Sequence, residues 1–220
     1  MTDKFNTVPV PKPTIQRLPG YLTYLKEKQA EGVKNISATI IAQDLNLYHV
    51  QVRKDLALVS NGGKPKLGYK VDDLIEDLAS FLGYGEDKQA VIVGVGKLGR
   101  TLLSYGGFAD YGLNICMGFD MDDRIYGLSI NDRKIMPLEK LGEMIKKNNI
   151  QIGIITVPAP QAQAVCDLLI ESGIKAIWNF APVHLKTPEN IIVQNENMAA
   201  SLAVLSNELR VKEGLSSLGK

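Results

Sequence analysis

Three glycines set the first chemical constraint. In residues 90–100, AVIVGVGKLGR, an apolar, β-rich run breaks into Gly94, Gly96 and Gly99 and then into a helix. Glycines at this spacing let a strand turn sharply into a helix whose first amides are free of side-chain cover. The chemistry this serves is a pyrophosphate brought against the backbone amides of the turn Gly94-Val95-Gly96 and of Gly99. A second apolar run, residues 113–119, ends in Asp120, 21 positions after Gly99. A carboxylate there accepts hydrogen bonds from an adenosine ribose and repels a 2′-phosphate, so the expected cofactors are NADH and NAD+ rather than their phosphorylated forms. The glycines alone are a weak signal, and the strand–turn–helix context with the acid behind it makes the pattern specific.

No proton carrier accompanies that site. A dehydrogenase places a His, or a Tyr with a Lys, beside the nicotinamide. Here the one His after the glycines is His184, with no carboxylate partner nearby in sequence, and both Tyr-x-x-x-Lys pairs (Tyr24/Lys28 and Tyr84/Lys88) precede the fingerprint. A cofactor site without a visible catalytic group favours the cofactor as signal. His49, His184, Cys116 and Cys166 share no metal-ligand spacing, and no metal is expected; the cysteines read as reduced core residues.

Upstream, residues 37–59 (SATIIAQDLNLYHVQVRKDLALV) read as a helix-turn-helix. Ser37 suits the N-cap of a helix turning Ile40, Ile41 and Leu45 inward, and Asn46-Leu47 makes a tight connection to a helix beginning near Tyr48. In that helix Val52, Leu56 and Val59 face inward. His49, Gln51, Arg53 and Lys54 are left on the other faces, where Gln suits adenine, Arg suits guanine and Lys54 suits a phosphate. Before it, an arm with prolines at positions 9, 11, 13 and 19 is expected to be extended, followed by a helix carrying Ile15, Leu18, Leu22 and Leu25 and ended by Gly32. After it, Asn61-Gly62-Gly63 breaks the chain and residues 64–71 read as a short hairpin with Lys64 and Lys66 near its tip. Three helices and a basic hairpin make a winged helix; a mere connecting loop is the alternative for the hairpin.

The remaining chain alternates. A helix over 71–82 joins the head to the glycine-rich unit; helices follow at 138–147 and 161–171, with strands at 152–157, 176–178 and 191–194. This predicts a doubly wound parallel α/β sheet of the Rossmann type, with Thr156-Val157-Pro158 and Asn179-Phe180 at the carboxyl ends of strands, where ligands sit. A last helix, 196–211, carries Met198, Leu202, Leu205 and Leu209 on a stripe. Such a helix ordinarily folds back on its own domain, and a partner's surface is the alternative. The resulting division is 1–84, a winged-helix DNA-binding domain; 85–195, an NAD(H)-binding domain; and 196–220, a terminal helix and tail.

The 220 residues carry a net charge of +1, but residues 1–70 hold 11 Lys and Arg against 5 Asp and Glu, while the rest holds 14 against 19. A basic head on a mildly acidic body suits a DNA-binding protein, although a solvated basic surface explains the charge equally well. No apolar run approaches the ~20 residues that cross a bilayer, and the first residues lack an apolar signal core, so a cytoplasmic protein with no membrane partner is expected.

Taken together, QVRKDL (51–56), GGKPKLGY (62–69), VGVGKLGR (93–100), FD (119–120), TVP (156–158) and WNFAPV (178–183) resemble the Rex family of bacterial redox-sensing transcriptional repressors, over about residues 15–209. That resemblance implies a homodimer of winged-helix heads on Rossmann domains, with the terminal helix exchanged between subunits. It implies binding to double-stranded operator DNA, an AT-rich inverted repeat, and release when NADH replaces NAD+. It further implies Gly94, Gly96, Lys97, Leu98 and Gly99 at the pyrophosphate, Asp120 at the ribose, Thr156, Val157, Pro158, Asn179 and Phe180 lining the cofactor, and Met198 near it from the partner. Arg17, His49, Gln51, Arg53, Lys54, Lys64 and Lys66 fall to the DNA, and Tyr105 and Asn197 to the interface that switches. Two departures are visible: Lys97 where many members have Asn or Arg, and Asn197 where some have Asp. The alternative reading is an NAD-dependent oxidoreductase with an accessory winged helix and His184 as proton carrier; a DNA-binding scaffold with a vestigial pocket is a third.

Overall fold

The computed structural model describes residues 10–212; the beginning of the proline-rich arm and the tail after residue 212 lie outside the described residues. Contacts divide the chain into two units, Met1–Glu86 with Asp110–Gly112, and Asp87–Ala109 with Leu113–Lys220.

The first unit runs α1 (Lys12–Ala30), β1 (Asn35–Ile36), α2 (Ala38–Asp44), α3 (His49–Val59), β2 (Tyr69–Lys70) and α4 (Val71–Phe81). Helix α1 begins earlier than its prolines suggested. Pro13 falls in the first turn, where no amide hydrogen is needed, and Pro19 is accommodated inside the helix. Leu18, Leu22 and Leu25 are buried together with Tyr21 and Tyr24. Ile15, expected on that stripe, is 41% exposed, because Thr14 takes the inward position to bond Asp55. Ser37 caps α2 by accepting from the Ile40 amide at 3.2 Å. Ile40 itself is 45% exposed against expectation, since a seven-residue helix buries one stripe and Ile41, Ala42 and Leu45 fill it. Asn46 turns the chain with a positive φ of 54°. Val52, Leu56 and Val59 of α3 then pack on Leu18, Leu25, Leu74 and Leu78, as their spacing predicts.

The predicted hairpin is real at its tip, where Lys64 and Gly68 exchange backbone hydrogen bonds of 2.8 and 2.9 Å. Beyond the tip, β2 pairs antiparallel with β1 (Ile36↔Tyr69). A side chain on Gly68 would strike the Ile36 carbonyl, so only glycine lets the wing lie against β1.

The second unit contains β3 (Lys88–Val93), α5 (Lys97–Ser104), β4 (Leu113–Asp120), β5 (Ser129–Ile130), β6 (Arg133–Pro137), α6 (Leu141–Lys147), β7 (Ile152–Ile155), α7 (Ala159–Glu171), β8 (Ala176–Asn179), β9 (Ile192–Asn195) and α8 (Met198–Lys212). Its sheet is ordered β5-β6-β4-β3-β7-β8-β9. All pairs are parallel except β5 with β6, so the wholly parallel sheet expected from the alternation carries one antiparallel edge. That edge turns through Asn131 and Asp132 at φ 47° and 63°, residue types that tolerate the left-handed region. In β3 alternate residues feed opposite faces: Val91 and Val93 join Leu141, Ile155 and Leu169, while Ala90 and Ile92 join Leu103, Ile115 and Ile154. This period of two on a strand buried from both sides is what a doubly wound sheet requires.

Helix α8 does not fold back on its own domain. It buries no residue, and Met198, Leu202 and Leu205 are 71%, 62% and 63% exposed. No described helix is long and apolar enough to cross a membrane.

Candidate functional site

The strand order reverses between β4 and β7 on either side of β3, and the glycine loop leaves β3 at that point. The three glycines do different work. Gly94 has φ +96°, and a Cβ there would lie 2.7 Å from Val157 Cγ1 and 2.9 Å from the Thr156 carbonyl carbon, so it makes the turn and lets β7 approach. A Cβ on Gly99 would fall on the Gly94 carbonyl oxygen, so α5 can pack this close only without one. Gly96, the N-cap of α5, has nothing within 4 Å of a built Cβ: its missing side chain leaves open space. Turn, close packing and clear approach to an anion are the three roles such a loop needs. Thr156 braces it from β7, its Oγ1 donating to the Gly94 carbonyl at 2.6 Å.

Asp120 closes the other side. Its Oδ2 accepts from the Val95 amide at 2.6 Å, and its Oδ1 accepts from the Met121 and Asp122 amides at 2.7 and 3.0 Å. Three of about four carboxylate acceptor positions are thereby occupied, leaving one for a hydroxyl donor. A cavity of about 660 Å³, within the range that takes a small-molecule ligand, brings together Gly94, Gly96, Asp120, Thr156, Val157 and Pro158 of the expected residues. An adjoining hollow of about 490 Å³ adds Val95, Lys97 and Arg100. The N-terminus of α5, with Lys97 and Arg100, offers positive charge to a pyrophosphate, and Asp120 and Asp122 line the same hollow, where a ribose hydroxyl would find an acceptor. Sequence reasoning missed Asp122, Arg124, Leu138 and Gln161 in the lining. The acid-rich run after Asp120 was the available signal.

Other expected residues lie outside either cavity's lining. Leu98 is half-buried. Asn179 is fully buried, its amide nitrogen donating to the Ala181 and Val183 carbonyls and to Asn195 Oδ1 while its oxygen accepts from the Ala181 amide. It therefore shapes the loop after β8 and ties it to the end of β9. Phe180 lies against Trp178, ring centroids 4.9 Å apart, at the end of a ladder that runs Tyr105, Phe108, Trp178, Phe180. Tyr105 is half exposed. Trp178 Nε1 donates to Glu196 at 2.7 Å, and Asn197 Oδ1 caps α8 by accepting from the Ala200 amide at 3.1 Å, just before exposed Met198. His184 is exposed in the loop after β8, outside the cavity lining. Among the described residues no cluster of His, Cys, Asp and Glu is arranged to hold a metal. Burial pushes both thiols up, Cys166 to about 11, which keeps them protonated and unreactive.

In the head, His49, Arg53 and Lys54 of α3 and Lys64 and Lys66 of the wing are exposed, and Lys66 holds a left-handed φ of 64°. Arg17 is differently placed. Its Nε and Nη2 each donate to Asp55 at 2.8 Å, and Gln51, oriented to satisfy both ends of its amide, accepts from Nη1 at 2.9 Å. Asp55 also accepts from Thr14 and Tyr21, each at 2.9 Å. Burial alone would raise the Asp55 pKa, but the hydrogen bonds from Arg17, Tyr21 and Thr14 outweigh it and hold the carboxyl below its ordinary 3.8. The same burial, with the bond to Asp55, pushes Tyr21 up to about 12. Asp55 escaped sequence reasoning, although an acid on the inward face of α3, between Val52 and Leu56, was the clue. The network fixes the rotation of α3 about its axis, and so which side chains it presents outward.

Comparison with known proteins places these features. Residues 85–183 match the family model described as CoA binding domain, and residues 9–57 match the one described as putative DNA-binding protein N-terminus. The redox-sensing transcriptional repressor Rex of Syntrophomonas wolfei is 43% identical over 197 residues, covering 90% of this chain and 94% of the relative. That of Treponema denticola is 39% identical over 201 residues, 91% and 96% of the two chains. Among solved structures, RSP in complex with beta-NAD+ and operator DNA superposes with a TM-score of 0.88 at 35% identity, covering 95% of this chain and 96% of that one. RSP in complex with beta-NADH gives 0.86 at 34% identity over 95% and 98%.

Proposed function

Because this chain belongs to the Rex family of redox-sensing transcriptional repressors, we propose that it represses by binding an AT-rich palindromic operator as a homodimer and lets go when NADH occupies its cleft. The observation that carries the reading is the presence on one chain of a glycine-floored, acid-ended cleft and of a basic recognition helix with a lysine wing. In this reading 1–84 reads DNA, 85–195 holds NAD(H), and 196–220 dimerises by exchange of α8. The wholly unburied apolar stripe of α8 supports the exchange, since a 15-residue helix with that surface needs a partner to cover it. The protein acts in the cytoplasm, on DNA, and turns nothing over; its His184 stands away from the cleft.

Each site residue then has a role. The α5 amides and Lys97 hold the pyrophosphate, Asp120 takes a ribose hydroxyl, and Thr156, Val157 and Pro158 close over the nicotinamide side. Asn179 and Phe180 shape the loop beside it, and the partner's Met198 covers it. NAD+ carries a charged ring and NADH a neutral one, so apolar cover penalises the oxidised form. In the head, Arg53 reaches base edges, and Gln51 has only its amide N–H groups left to offer them because its oxygen accepts from Arg17. His49, Lys54, Lys64 and Lys66 reach the backbone, and Arg17 acts through the position of α3. Tyr105 stands at one end of the ladder Tyr105, Phe108, Trp178, Phe180, and Asn197 caps α8 next to Glu196, which takes the Trp178 indole; both belong to the part that switches. For the switch to work, NADH must bind the released arrangement more tightly than the DNA-bound one; equal affinity would move nothing. The test is a fluorescence anisotropy titration of a labelled AT-rich palindrome. Release by NADH with retention under NAD+ is expected, and retention under both would refute the reading.

A further inference from the structure

The turn after β4 carries a charge arrangement that the proposed function leaves unused. Asp120, Met121, Asp122, Asp123 and Arg124 all line the cleft. Asp120 is engaged by three backbone amides, one of them that of Asp122. Asp122 in turn caps the short helical turn Asp123–Ile125, its Oδ1 accepting from the Arg124 amide at 3.1 Å. It also takes the Arg124 guanidinium by two parallel bonds, Nε to Oδ1 at 2.7 Å and Nη2 to Oδ2 at 2.8 Å. Otherwise that guanidinium stands in solvent, the side chain 84% exposed.

An arginine close to the ribose-binding acid has an obvious alternative employment. In dinucleotide folds that take the phosphorylated cofactor, a nearby arginine accommodates the 2′-phosphate, and the guanidinium fork matches a phosphate as well as it matches a carboxylate. Here the fork is closed on Asp122. We propose that Asp122 is a specificity-determining residue: by holding the Arg124 fork and standing as a second carboxylate beside Asp120, it makes the cleft refuse a 2′-phosphorylated dinucleotide that Arg124 would otherwise accept. This rests on the reading of the cleft as a dinucleotide site. An ion pair so exposed contributes little to stability, but a 2′-phosphate that recruits Arg124 must also leave Asp122 unpaired next to a group of about two negative charges. Competition and repulsion therefore act together. Asp122→Asn retains an oxygen for the Arg124 amide while removing the charge and the Nη2 arm of the fork's hold.

The experiment titrates full-length protein with NADH and with NADPH, following nicotinamide fluorescence, and reads the ratio of the two dissociation constants. In the wild type NADPH should bind far more weakly than NADH. D122N should narrow that ratio by about tenfold or more, the size of one charge-assisted hydrogen bond gained. D122N/R124Q should give most of that narrowing back, because the gain needs the arginine. D122S, which also keeps an oxygen for the cap, serves as a second variant with the same expectation if D122N does not fold. An unchanged ratio in both single variants would overturn the proposal, as would a double variant as permissive as D122N, which would leave repulsion alone at work. A wild type that binds neither nucleotide is a separate failure, that of the cleft assignment itself.

Discussion

Replacing Asp55 with asparagine tests whether the buried network under α3 sets the head's stability. The substitution preserves volume and one acceptor but removes the charge facing Arg17, whose Nε and Nη2 both lie 2.8 Å from it. Breaking a fully buried pair costs about 3–5 kcal/mol. Asp55 meets that condition at 4% side-chain exposure, but Arg17 at 24% can recover part of its hydration, and either Thr14, now on Oδ1, or Tyr21, now on Oδ2, can still donate to the one amide oxygen. The expected loss is therefore about 2–3 kcal/mol, or roughly 10–20 °C in the melting midpoint of a unit this size. The pH dependence has a definite sign. Because the folded carboxyl is held below its ordinary 3.8, its contribution is present above that value and is lost as pH falls through the lower folded pKa. The gap between wild type and D55N should accordingly be full at pH 7 and shrink below pH ~4. Circular dichroism melts of both proteins from pH 3 to 7 provide the measurement, with R17M and the double variant completing a cycle whose coupling should exceed ~1 kcal/mol. A loss under ~0.5 kcal/mol at pH 7, or a gap as wide at pH 3 as at pH 7, would refute the reasoning.

The glycine loop separates folding from binding: G96V should leave the melt within ~0.5 kcal/mol of wild type, since its side chain enters open space, yet abolish NADH-induced release of DNA. G99A should instead destabilise by ~1–3 kcal/mol, because its methyl falls on the Gly94 carbonyl; equal stability in the two variants would contradict the division of roles. Replacing exposed Arg53 with alanine should weaken specific operator binding by ~1–3 kcal/mol with NADH affinity retained, as read by parallel anisotropy and fluorescence titrations. K66G should stabilise the head by ~0.5–1 kcal/mol, relieving a left-handed lysine, while weakening DNA binding and lowering the slope of log affinity against log salt by about 1.

Where local pattern and tertiary demand coincide, the sequence was a sufficient guide. The strand β3, the glycine loop and α3 were legible because apolar periodicity, turn chemistry and chain order all pointed to the same element. Individual faces were less so. Ile15 and Ile40 are apolar residues at helical spacing that ended outside, one displaced by Thr14 reaching for Asp55, the other by the narrowness of a two-turn helix. The β5–β6 edge left little trace, since two-residue β5 has no periodicity to read. Polar residues were hardest, because their partners are remote in sequence: Asp55 answers to Arg17, 38 positions away, and Asn179 to Asn195. Both were invisible as pairs until the fold brought them together. Helix α8 shows the opposite limit: its apolar residues were expected to fold back on their own domain, and none of the described residues covers them.

The central claim is that cofactor and operator compete through one equilibrium between two arrangements of the protein, and thermodynamic linkage makes that testable from the reverse direction. NADH affinity should be measured by nicotinamide fluorescence with and without saturating operator. Operator should weaken NADH binding by the same factor by which NADH weakens operator binding, and should leave NAD+ binding unweakened. An NADH dissociation constant that does not respond to operator, in a protein that binds both, would contradict the account.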